Sequence, residues 1–338
     1  MTLTHSTFEG KRILIVGGTG SIGSALARAL LGSNPSVARV LSNDENGLFE
    51  MQRELGEKPN LRFLLGDIRD QDRVRLAMRN IDIVFHAAAL KHVPISEYNP
   101  FEVVRTNVIG TQNLLEAAVW EGVEKFIFIS TDKAVNPAGT LGASKLLCEK
   151  LVLDAASYRG PKLSALSCVR FGNVLGTRGS VTQVFASQIA KGGPVTVTQK
   201  EMTRFVMLLQ QAVTLLLKAA EIARGGEIFV LKMCRARIID LAQAMIDEFA
   251  PKFGYNPKDI RIEETGMRPG EKLHEDLMTE DEARRSLDSG DLYAILPSKA
   301  DSTAYPGFVP AKPFKYTSKD ARLLGYDELR KLCTSIAS

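Results

Sequence analysis

From residue 11 the chain alternates short apolar runs with amphipathic stretches, and that alternation predicts an α/β fold with a doubly wound parallel sheet. Strands are predicted over 12–16, 37–41, 61–65, 81–85, 125–130 and 163–169. They are rich in Val, Ile, Leu and Phe and alternate little, as strands covered on both faces do. Between them run helical patterns over 21–31, 45–55, 100–120 and 141–158. In the first, Ile22, Leu26 and Leu30 share one face; in the third, Val104, Val108, Leu114, Leu115 and Ala118 do. Beyond residue 172 the elements shorten, and Gly192-Gly193-Pro194 and Arg268-Pro269-Gly270 punctuate the chain. The pattern divides the chain into a first domain (10–172), a smaller lobe (173–297) and a tail (298–338). A helix over 209–222 and a strand over 227–231 would return from the lobe to the sheet. The tail is loop-rich and predicts a helix over 318–336.

Composition adds boundaries. The net charge of +4 comes from 43 basic and 39 acidic residues spread along 338 positions, a balance that suits a phosphate-bearing ligand and gives no case for nucleic acid. Cys148, Cys168, Cys234 and Cys333 form no CxxC pair, and Cys148 and Cys168 lie in apolar patterns. Buried thiols in a reducing cytosol are therefore expected, with no metal site. No run of about 18 apolar residues reads as a membrane span, and the first dozen residues carry no apolar core of a signal peptide.

The first candidate chemistry is Gly17-Gly18-Thr19-Gly20-Ser21-Ile22-Gly23, between the first strand and the first helix. Gly17 would permit the tight turn, Gly20 the approach of a pyrophosphate, and Gly23 close helix–sheet packing. Thr19, Ser21 and Ile22 complete the loop, and the helix N-terminus would supply donors to the phosphates. After the second strand, Asp44 would accept bonds from an adenosine ribose, which favours NAD over NADP because no Arg follows directly; the alternative is that Asp44 only caps the helix over 45–55. Asp67 and Ile68 after the third strand would border the adenine. Ala87 and Ala89 are small where the nicotinamide-side ribose must pass. Asn107 would bend its helix or bind a water beside the cofactor.

The second is Ser130 to Lys145, STDKAVNPAGTLGASK. In these sixteen residues Thr131, Asp132 and Lys133 set a hydroxyl, an acid and a base in a row, and Lys145 follows. An arbitrary sequence of this kind would cap a turn and leave the Lys solvated.

Together these segments resemble the extended short-chain dehydrogenase/reductases, and more narrowly the UDP-N-acetylglucosamine 4,6-dehydratases of the polysaccharide biosynthesis (CapD-like) family. The resemblance rests on GGTGSIG (17–23), GDIRD (66–70), HAAALKHVPISEYNP (86–100), STDKAVNP (130–137), VRFGNVLGTRGSV (169–181), MTRF (202–205), GEIFVLKM (226–233) and RPGEKLHE (268–275). It spans residues 12 to about 280. The superfamily normally carries a Tyr four residues before Lys145; here that position is Leu141. Some similar dehydratases carry Met there, so an apolar residue does not by itself imply inactivity.

The resemblance implies C4 oxidation of a UDP-sugar, loss of water across C5–C6 and hydride return to C6, with the nicotinamide cofactor recycled. Asp132, its pKa raised by burial, would protonate the leaving C6 hydroxyl. Lys133, its pKa depressed, would remove the C5 proton. With Leu141 in place of the phenol, Asp132 would also take the C4 hydroxyl proton, directly or through a water held by Thr131 and Lys145. Lys91 and His92 would flank the substrate. Asn173, Arg178 and Ser180 would line the diphosphate, and Arg204, Arg268 and Glu271 would grip phosphate or uridine. The chain is expected to act in the cytoplasm as a homo-oligomer, without nucleic acid or membrane partners. The alternatives are a nucleotide-sugar epimerase, which needs no C5–C6 acid and base, and a non-catalytic NAD(P)-binding regulator, which needs no uridine-side motifs. Retention or inversion at C5 is left open.

Overall fold

Unbroken apolar runs lose least when both faces are covered, and here they build the middle of one large sheet. The computed structural model describes residues 7–155, 165–298 and 300–337. Strands β1 (Arg12–Val16), β2 (Val37–Ser42), β3 (Leu61–Leu65), β4 (Ile83–His86), β5 (Lys125–Ile129) and β6 (Ala165–Arg170) are parallel, in the order β3-β2-β1-β4-β5-β6. The order reverses between β1 and β4, and ligands of such sheets bind in the crevice at that point.

Three short strands, β7 (Asn173–Val174), β8 (Val195–Val197) and β9 (Thr203–Met207), then leave the sheet. β10 (Ile228–Leu231) rejoins it beside β6, preceded by helix Leu209–Ile222. Beyond it come β11 (Cys234–Arg237), β12 (Ile262–Glu264), β13 (Asp276–Met278), β14 (Ser286–Asp288), β15 (Leu292–Ile295), β16 (Val309–Pro310) and β17 (Tyr316–Thr317). The sheet reaches ten strands because β15, β14 and β16 add antiparallel beyond β10. Residues 286–310, expected in the lobe and the tail, thus extend the central sheet. The physical reason is the exposed edge of β10, which the β14–β15 hairpin covers.

Three predicted elements change shape. The helix over 100–120 is Pro100–Val103, one turn of π-helix over Val104–Ile109, then Gly110–Glu121. The helix over 141–158 is Thr140–Ala155; its predicted last residues, and the first two of the strand over 163–169, lie outside the described residues. The tail helix is Tyr326–Ala337 and starts later than expected, because Ser318 to Leu324 is tied elsewhere. Ser318 Oγ contacts Thr203 Oγ1 at 2.8 Å and accepts from Glu275 N at 2.9 Å, and Arg235 exchanges backbone bonds with Arg322 and Leu324. The helix begins after Gly325, whose N–H donates to Glu328.

Two cores result. The larger flanks the sheet; the smaller joins helices Val181–Ile189, Ile238–Phe249 and Tyr326–Ala337 through Phe185, Leu241, Met245 and Leu329. Cys148, Cys168 and Cys333 are buried free thiols. Among the described residues no helix is long and apolar enough to cross a membrane.

Candidate active site

The crevice between β1 and β4 is shaped by backbone contact. Gly17 has φ +74°, and a Cβ there would come within 2.6 Å of Ala88 N. A Cβ on Gly23 would lie 2.4 Å from Gly17 O, so helix Ser21–Leu31 can pack against the turn only as Gly. Gly20 caps that helix without a side-chain bond, which leaves the first-turn donors pointing at the crevice. Thr19 Oγ1 meets Ser42 Oγ at 2.7 Å and fixes the loop to the end of β2, while Ile22 packs against the core. Ala87 donates its N–H to Val16 O. These residues fit a dinucleotide phosphate.

Asp44 does cap helix Glu45–Leu55, accepting from Gly47 N at 2.9 Å. Its other oxygen lies 3.7 Å from Arg178 Nη1. Asp67 is forked by Arg69, with Nη2 at 2.7 Å, and that guanidinium holds its carboxyl below the usual range. Ile68 is buried. Asn107 occupies the π turn with its amide saturated: Oδ1 accepts from Leu90 N at 2.8 Å, and Nδ2 donates to Leu90 O and Ser144 Oγ. In this arrangement Asn107 is a positioning residue at the break in its helix. It fastens the loop after β4 to helix Thr140–Ala155.

On the substrate side Lys91 Nζ donates to Arg178 O, and His92 lies against Gly179, where a Cβ would meet its ring at 2.1 Å. Asn173 Oδ1 is buried without a partner. Ser180 Oγ contacts Thr182 Oγ1 at 2.8 Å. Arg178, expected along a substrate diphosphate, instead lies over the glycine loop. Its N–H donates to Ser21 Oγ at 3.0 Å and Nη2 to Thr19 O at 2.7 Å. The reason is chain direction: the turn after β7 crosses the crevice before helix Val181–Ile189 begins. Arg268 and Glu271 pair within their own loop, N–H to Oε2 at 3.1 Å, and Arg268 is exposed.

The residues expected to act as acid and base converge at the end of β5. Thr131 caps a single 3-10 turn, Asp132–Ala134, and its hydroxyl donates to Asp132 Oδ1 at 2.8 Å. Lys133 Nζ donates to the same oxygen at 3.0 Å. Asp132 is fully buried and its Oδ2 has no partner. Burial raises its pKa, against the nearby Lys133 and with the repulsion of Glu275. Lys133 corrects the expectation of a depressed base. Burial alone would lower it, yet the carboxylates of Asp132 and Glu275 outweigh burial and raise it. Lys145 is buried and lowered by burial; its Nζ donates to Ile129 O at 2.8 Å and lies 4.5 Å from the Phe128 ring centroid. Leu141 is 4% exposed and shares a small cleft with Lys133, Gly139 and Lys272.

Sequence reasoning missed two groups. Glu275, 2% exposed, lies 3.4 Å from Lys133, 3.2 Å from Lys272 and 3.9 Å from Arg204. Arg204 therefore joins the cluster around Lys133. Glu275 closes the motif RPGEKLHE, which was legible as a block without showing which acid turns inward. The second group is Ser130, Glu149, Arg170 and Glu282, a buried ion network. An acid four residues after Lys145 was its only sequence signal.

Comparison with known proteins follows the same residues. The family model described as polysaccharide biosynthesis protein matches residues 13–297. An uncharacterized membrane protein of Methanocaldococcus jannaschii is 50% identical over 98% of this chain and 97% of its own. A UDP-N-acetylglucosamine 4,6-dehydratase (inverting) of Campylobacter jejuni is 41% identical over 86% of this chain and 84% of its own. A UDP-glucose 4-epimerase of Rickettsia canadensis is 38% identical over 97% of each chain. The X-ray structure of Pen from Bacillus thuringiensis superposes with a TM-score of 0.91 at 42% identity, covering 97% of this chain and 98% of that one.

Proposed function

The chain belongs to the polysaccharide biosynthesis protein family, with the fold of the extended short-chain dehydrogenase/reductases, and from that membership we propose that it is an NAD(P)-dependent UDP-N-acetylglucosamine 4,6-dehydratase. The observation that carries this reading is the contact of Lys133 with a fully buried Asp132 whose second oxygen is free. Elimination of water needs an acid and a base on one sugar, and this pair supplies both.

The bound nicotinamide would supply the redox chemistry, accepting a hydride from C4 and returning it to C6. Every proton movement falls to the chain. Asp132 Oδ2 takes the C4 hydroxyl proton, the task that a phenol at position 141 would have had. Its raised pKa then makes it a carboxylic acid able to protonate the C6 hydroxyl as it leaves. Lys133 removes the C5 proton, which the 4-keto group has acidified, and afterwards returns a proton there. Lys145, whose Nζ is bonded to Ile129 O at the end of β5, would hold the cofactor side of the site. Asn173 offers an unpartnered acceptor to the substrate side. The second oxygen of Asp44 supports a ribose contact and hence NAD, while Arg178, 3.7 Å from it, supports a 2′-phosphate and hence NADP.

Incubation with UDP-N-acetylglucosamine tests this directly. The expected product has lost one water, read by mass. The epimerase reading has one observation in its favour, the 38% identity to a protein of that name. It would give a product of unchanged mass, and that result would replace the proposal.

A further inference from the structure

Resting on the NAD(P)-binding part of that reading, the choice between the two cofactors turns on the groups at the adenosine ribose. This fold accommodates a 2′-phosphate with an Arg near the end of the second strand. Here no Arg or Lys stands between Ser42 and Arg53. Asn43 is bonded to Asp67, and Arg69 is held by Asp67 at 2.7 Å and by Glu102 at 3.1 Å. On its own, Asp44 would accept the ribose hydroxyl of NAD and repel the phosphate of NADP.

A cation arrives from the other side of the crevice, 134 residues further along the chain. The turn that carries Arg178 is fastened on both sides. Its N–H donates to Ser21 Oγ at 3.0 Å, its carbonyl accepts from Lys91 Nζ, and Gly176 and Gly179 bend the chain around it with φ of +75° and +70°. The guanidinium therefore lies over the glycine loop, with Nη2 2.7 Å from Thr19 O and Nη1 3.7 Å from Asp44 Oδ2. The two side chains of that pair are 62% and 41% exposed. Exposed pairs of such length add little to stability, so each partner can turn to a ligand at small cost. The helix cap is untouched by such a turn, because it uses the other oxygen, Asp44 Oδ1.

We propose that Asp44 and Arg178 are opposed specificity-determining residues for the cofactor. The carboxylate selects the free ribose of NAD, and the guanidinium, brought across the crevice by the turn after β7, binds the 2′-phosphate of NADP. With both in place the site takes either cofactor, because Arg178 offsets the charge with which Asp44 would reject the phosphate. Removing one member of the pair then shifts the preference one way, and removing the other shifts it back.

The test is calorimetric titration of the full chain with NAD and with NADP, no sugar present. Arg178→Ala should weaken NADP about 10- to 100-fold, the scale of a lost charge-assisted bond, and NAD by less than about threefold. Asp44→Asn keeps a side chain that caps the helix and removes the charge, so NADP should bind about tenfold more tightly. Adenosine 2′,5′-bisphosphate and AMP, which carry the ribose without the nicotinamide, should show the same shifts in the same variants. Equal weakening of NAD and NADP in Arg178→Ala, or no weakening of either, overturns the proposal. An NADP affinity unmoved by Asp44→Asn overturns it as well. The titrations need no turnover. A chain that removes no water from UDP-N-acetylglucosamine loses the dehydratase reading, while the same affinity ratios still decide the roles of Asp44 and Arg178.

Discussion

Arg170, on β6, forks the carboxylate of Glu149 with Nε at 2.7 Å and Nη2 at 2.6 Å, and Glu149 stands one helical turn beyond Lys145. The same carboxylate accepts from Ser130 Oγ at 2.6 Å, next to Thr131. One buried ion pair therefore locks the helix of Leu141 and Lys145 to the strand end that carries the acid and the base. Arg170 also reaches Glu282, whose helix Glu280–Ala283 follows β13 and thus the segment of Glu275.

Replacing Arg170 with Met should be costly, because it leaves Glu149 and Glu282 buried without their cation. Breaking such a pair typically costs about 3–5 kcal/mol. Urea denaturation should show a loss of that size. A loss below about 1 kcal/mol would show that the network does not hold the helix.

Asp132→Asn keeps the shape of the buried turn and removes its proton chemistry. Turnover of UDP-N-acetylglucosamine should fall about 100-fold or more, and no 4-keto sugar should accumulate. Near wild-type formation of the 4-keto sugar would mean that another group takes the C4 proton.

Leu141→Tyr restores the phenol common in the superfamily. Since Asp132 already has a free oxygen for the C4 proton, turnover should not rise. A gain of about tenfold or more, equivalent to roughly 1.4 kcal/mol of transition-state stabilisation, would show that the site lacks its proper base.

His86, buried at the end of β4, gives a pH signature. Its Nε2 is 2.9 Å from Thr111 Oγ1, and burial, with the Lys145 charge, lowers its pKa to about 3 from 6.5. The unfolded chain takes up this proton first as pH falls. The stability that His86 contributes is therefore complete above about pH 6.5 and is lost between there and about 3, by roughly 1.4 kcal/mol per pH unit. Denaturation midpoints should drop more steeply across that window in the wild type than in His86→Gln. Parallel curves would count against a neutral His86.

Most of the sheet was legible because β1, β4, β5 and β6 are buried almost throughout and so read as apolar runs. The glycine loop was legible for a related reason: Gly17 and Gly23 stand where any Cβ would strike backbone. The bonds of Asn107 to Leu90 and Ser144 were not, since those partners lie 17 and 37 residues away. Glu275 escaped for the same reason, being 142 residues from Lys133.

By itself the sequence determined the central strands and the glycine loop, which depend on local pattern or on steric limits within a few residues; the acid and base roles of Asp132 and Lys133 are what the family resemblance implies. Only the tertiary structure decided which way the Lys133 pKa moves, because that depends on which carboxylates lie within about 4 Å of it, and such distances belong to the fold. It likewise placed Arg178 over the glycine loop and bonded Asn107 to Leu90 and Ser144.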